Sequence, residues 1–124
     1  MPVSKQECRY AAMRVIRKWV NYHRERERLL APRYGELMIG GVDFDHLLKA
    51  TVGEVFLKEI GGGKTPEEAR DIAAVDGDDC VKTWNERTSN WRASISGNYE
   101  LRRWDGAGRA EANNVYLHFL NLTR

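Results

Sequence analysis

Proline occurs three times in 124 residues, at positions 2, 32 and 66, and most glycines gather at 35, 40–41, 61–63, 97 and 106/108. These two residue types break helices and mark turns. The stretches between them are long, and their apolar residues recur at three- and four-residue spacing, the period of a helix with one buried face. This predicts an all-α (or predominantly α) fold: a compact bundle of five to six helices with a long N-terminal helix. The length suits one domain, residues 1–124, able to build a core without metal or disulfide.

The first helix is expected from about Lys5 to Leu30, roughly 40 Å long at the usual rise per residue. Ser4 and Glu7 form a capping-box pair at its start, and Pro32 is expected to end it. Its inward stripe reads Cys8, Ala12, Val15, Ile16, Trp19, His23 and Leu30. A second helix begins near Asp43 as N-cap and carries Phe44, Leu47, Leu48, Val52, Val55, Phe56 and Ile60 to the stop at Gly61-Gly62-Gly63. Thr65-Pro66-Glu67-Glu68 places an N-cap, a proline at the first helical position and a glutamate three residues after the cap. That third helix is expected to break at Asp76-Gly77. Asp78 or Asp79 would then cap a fourth, with Val81, Trp84 and Thr88 following. Residues 94–106 read as a short strand or an extended segment, or equally as helix. A last helix runs from about Arg109 with Ala112, Val115, Tyr116, Phe119 and Leu120 inward.

Composition narrows the function classes. Hydrophobic residues make up 42% and charged residues 31%, too apolar for a disordered tail. No apolar run approaches the ~20 residues of a membrane span, so no membrane association is expected. Cys8 and Cys80 make no disulfide framework and no secretory leader is evident, which points to a reducing, cytoplasmic setting. The net charge of +2 conceals an alternation. Residues 1–33 hold nine bases and three acids (+6), residues 34–80 four and eleven (−7), and residues 81–124 seven and four (+3).

Several motifs dissolve on inspection. Gly61-Gly62-Gly63-Lys64-Thr65 suggests a phosphate loop, but Lys58 stands where the first glycine belongs and the segment before it reads as helix, not strand. A helix stop followed by a new N-cap explains it. Asp43-Phe44-Asp45-His46 could offer two cation ligands at i,i+3, but cap and first-turn roles account for its acids, so no metal site is assigned. Asp76-Gly77-Asp78-Asp79 departs from the order of a calcium loop. Residues 65–92 weakly resemble a helix-turn-helix. Arg70 stands where a small crossing residue belongs, and three acids open the would-be recognition helix, so an αα-hairpin used for packing fits better. No nucleophile constellation and no cofactor signature is found. From Trp84 to Trp104, bases alternate with aromatics (Arg87, Trp91, Arg92, Tyr99, Arg102, Arg103). This is the pattern of a stacking platform or of core tryptophans flanked by solvated arginines.

The first helix carries the most informative pattern. Arg14, Arg17, Asn21, Arg24 and Arg28 fall within an arc of about 80°, almost opposite Ala12, Val15, Trp19 and His23. Guanidinium groups bind phosphates and carboxylates bidentately, so such a row suits a nucleic-acid backbone or an acidic protein surface. Glu25 and Glu27 lie within reach of Arg28 and Arg24, whereas Arg14 and Arg17 have no acid at i±3 or i±4. The expected function is non-catalytic macromolecule binding, most simply of a DNA or RNA backbone, with Arg102 and Arg103 extending the surface. The alternative is a protein-interaction module: an adaptor, an inhibitor or a small phage-type accessory protein. An enzyme with an unrecognised carboxylate site is third. A homo-oligomer is compatible with either binding reading.

Overall fold

The computed structural model describes residues 4–34, 42–94 and 103–124. They form four α-helices: α1 Lys5–Tyr34, α2 Val42–Gly61, α3 Pro66–Ser94 and α4 Ala107–Leu122. No strand occurs among the described residues, and of the ambiguous stretch 94–106, residues 95–102 lie outside them. Among the described residues no helix is long and apolar enough to cross a membrane.

Helix ends follow local chemistry. At α3, the Glu68 N–H donates to Thr65 Oγ1 and the Thr65 N–H to Glu68 Oε1, both at 3.1 Å, a complete capping box. At α1, the Glu7 N–H donates to Ser4 Oγ at 3.1 Å. The glycine run closes α2: the Lys64 N–H reaches the Glu59 carbonyl and the Gly63 N–H the Ile60 carbonyl, with Gly63 at φ +95°. This is a Schellman stop, whose left-handed residue glycine adopts without a Cβ penalty.

The expected count of five to six helices fails at Asp76-Gly77, because α3 continues through both residues as one 29-residue helix. Neither a helix-turn-helix nor an αα-hairpin exists over 65–92. Gly77 is not a break but a crossing point. A Cβ on Gly108 of α4 would lie 2.3 Å from the Gly77 carbonyl carbon, so the two helix backbones touch there. Asp76, Asp78 and Asp79 are accordingly exposed mid-helix residues rather than caps or cation ligands. Three boundaries also move. Helix α1 extends two residues past Pro32, α2 begins at Val42 so that Asp43 lies inside its first turn, and α4 begins at Ala107, two residues before Arg109.

Helix α2 packs against each of the other three, which is why it is apolar nearly all round. Leu48, Ala50, Val52, Phe56 and Ile60 are fully buried on it. Ala12, Ile16 and Val20 meet it from α1, Ala69, Ala73, Val81 and Trp84 from α3, and Ala112, Val115 and Phe119 from α4. Trp84 stacks on Phe44 with ring centroids 4.7 Å apart, and Trp104 meets the same ring edge-on at 5.4 Å. Trp84 is therefore part of the core, and Trp104 packs against it partly buried. Trp91, Arg92 and Tyr99 have side chains outside the described set.

Candidate functional site

Helix α1 turns its apolar face to α2 and leaves the opposite face in solvent. Arg14, Arg17, Lys18 and Asn21 are all exposed on that outer face. Arg14, Arg17 and Lys18 enter no ion pair among the described residues. The row's C-terminal half is engaged. Arg24 Nη2 donates to Glu54 Oε2 of α2 at 2.6 Å, because Arg24 stands at the edge of the arc nearest its neighbour helix. Arg28 grips Glu25 through Nη2 at 2.6 Å and Nε at 3.0 Å. That hydrogen bond holds the Glu25 carboxyl below, and the Arg28 guanidinium above, their ordinary ranges. Arg103 is exposed with its Nε 3.5 Å from Asp105 Oδ2, and Arg102 lies outside the described residues.

The same helix exposes large apolar side chains. Tyr10 is 50% exposed, Val15 41%, Tyr22 57% and Leu29 49%. Val15 thus leaves the inward stripe in which its spacing had placed it. Ala12, Ile16, Val20 and His23 hold that stripe instead. Val15, Tyr22 and Leu29 recur every seventh residue and run along one edge of the basic face.

A second cluster escaped sequence reading. His23 of α1 and His46 of α2 are 23 residues apart, yet their Nδ1 atoms approach to 2.8 Å. Between two such atoms only one hydrogen fits, so one neutral ring donates and the other accepts. Trp19 and Tyr22 meet His23 edge-on at 4.6 and 5.0 Å between centroids. Burial first, then the nearby His46, lowers the His23 pKa to about 4. Burial also lowers that of His46, against the opposing pull of Asp45. Lys49 bonds Asp45 at 2.5 Å and reaches Glu111 of α4 at 3.4 Å, fixing the surroundings of the pair. Asp43 Oδ1 is buried with no hydrogen-bond partner, and burial raises that carboxyl's pKa. Among the described residues no three His, Cys, Asp or Glu side chains are grouped so as to hold a metal ion. The signals available in sequence were a histidine on an apolar stripe and another in the next helix's first turn. Only the α1–α2 packing joins them.

Comparison with protein-family models, with curated proteins and with solved structures finds no match to this chain.

Proposed function

We propose that the chain is a non-catalytic macromolecule-binding protein that holds a nucleic-acid backbone, DNA or RNA, on the outer face of α1. One observation carries this reading: Arg14, Arg17 and Lys18 stand exposed together with no acidic partner among the described residues, flanked by Asn21. Phosphate oxygens accept from guanidinium forks and amide N–H groups, and such contacts set affinity without reading sequence. Arg24 and Arg28 play a lesser part, since Glu54 and Glu25 already neutralise them.

Binding to duplex and single-stranded oligonucleotides should then weaken steeply with salt, because each neutralised phosphate releases counterions. Arg14→Ala, Arg17→Ala and Lys18→Ala should each flatten the log–log salt slope by about 1. Binding that is absent at low salt, or insensitive to salt, refutes the reading. A protein partner is the second reading, supported by Tyr10, Val15, Tyr22 and Leu29 exposed beside the arginines. Tyrosine and arginine around an apolar centre are the usual anchors of protein interfaces. In that case Tyr22→Ala and Leu29→Ala would abolish capture of the partner, and nuclease treatment would leave it intact.

A further inference from the structure

One end of the bundle, where α1 starts and α2 and α4 finish, holds a cavity of about 900 Å³. That volume is within the range of pockets that enclose small organic ligands. Its accessible apolar lining is Met13, Cys8, Pro66 and the half-exposed ring of Tyr10, laid over the buried Ile60 and Phe119. Its rim carries Lys5, Arg9 and Arg124, and among the described residues no Asp or Glu side chain lines it. Lys5 and Arg124 enter no ion pair among the described residues. Arg9 is held in place because its Nη2 donates to the Ile60 carbonyl at 2.7 Å and the Lys64 carbonyl at 3.2 Å. A guanidinium has five N–H donors, and those on Nε and Nη1 meet no acceptor among the described residues. The carbonyls that end α2 are meanwhile answered by Arg9 and by the backbone N–H groups of Gly62, Gly63 and Lys64. At the end of α4, the Thr123 N–H and hydroxyl donate to the Phe119 and Leu120 carbonyls.

An apolar lining under a rim whose charged side chains, among the described residues, are all basic selects a ligand with an apolar body and one negative head. We propose that this cavity binds an amphipathic carboxylate, its hydrocarbon against Tyr10, Met13 and Pro66 and its carboxylate on Arg9, Lys5 and Arg124. The site is separate from the basic face of α1 and does not depend on it.

Decanoate is a suitable probe, with decan-1-ol as the same body without charge. Cys8 lines the cavity and Cys80, on α3, does not, so modification by N-ethylmaleimide followed peptide by peptide has an internal reference. Gly61 offers a way to fill the space without removing a charge. A Cβ there meets only Met13 Cε at 3.7 Å, ordinary contact. Decanoate should bind saturably, one per chain by calorimetry, and slow modification of Cys8 but not of Cys80. Decan-1-ol should bind at least tenfold more weakly. Gly61→Leu should abolish binding and protection together with no loss of helical circular dichroism. The Lys5→Gln, Arg124→Gln pair should weaken decanoate at least fivefold and leave decan-1-ol unchanged. Should Gly61→Leu unfold, the charge pair decides. Absence of saturable binding, equal affinity for acid and alcohol, or a charge pair that binds decanoate like the parent overturns the proposal.

Discussion

The imidazoles of His23 and His46 share one hydrogen, and this makes the fold sensitive to acid in a definite direction. Folded His23 titrates near 4, whereas an unfolded histidine titrates near 6.5. Between those values the unfolded chain binds the extra proton and the folded chain does not. Stability should therefore be complete above pH 6.5 and fall as pH drops toward 4, by on the order of 3 kcal/mol. Urea midpoints measured from pH 7.5 to 4 check this, and His23→Gln, which keeps a donor and an acceptor but does not titrate, should flatten that interval. Gly108 makes a second residue-scale case. Alanine is ordinarily the better helix former by about 1 kcal/mol. Here its Cβ would strike Gly77 backbone atoms that cannot move aside alone. Gly108→Ala should therefore destabilise by roughly 1–3 kcal/mol in chemical denaturation, the cost of overpacking. A stabilised variant would show that the α3–α4 contact is looser than described.

At the level of elements, the helix starts were the most legible feature. Thr65-Pro66-Glu67-Glu68 announces α3 because every part of the signal is local: a hydroxyl, a proline whose missing N–H is not needed, and a carboxylate one turn on. Thr65→Ala should cost about 1 kcal/mol, read as a lower urea midpoint with unchanged slope. Helix continuity was the least legible. Asp76-Gly77 has the composition of a turn, but burial of Ala73 and Val81 on either side outweighs the weak helix propensity of those two residues. Gly77 is present because α4 comes close, a reason found in another helix. Similarly, Val15 follows the helical period yet lies at the margin of the α1–α2 contact, where the buried arc is narrower than its apolar residues could fill.

For the whole molecule, the alternation of charge blocks is only partly settled by internal pairing. Arg24–Glu54 is the ion pair that joins the basic first block to the acidic middle among the described residues, and Lys49–Glu111 joins the middle to the last. The N-terminal half of the arginine row keeps its charge for solvent, which is what a polyanion would meet. Glu54→Gln tests this division. The pair is about 40% exposed on either side, so its loss should shift stability by less than about 1 kcal/mol. Freed from its acid, Arg24 should join the row and raise oligonucleotide affinity two- to fivefold at low salt. Unchanged affinity would place the binding face elsewhere.

Sequence by itself determined the helical class, the caps at Ser4 and Thr65, the glycine stop of α2 and the existence of a basic face on α1. Each of these depends on residues within a turn or two of one another. Tertiary structure decided which glycine marks an end and which a crossing, and which arginines stay exposed. It also placed Trp84 in the core with Trp104 packed against it and brought His23 to His46. Those outcomes depend on groups far apart in the chain, held together by packing around α2, and no local spacing encodes that packing.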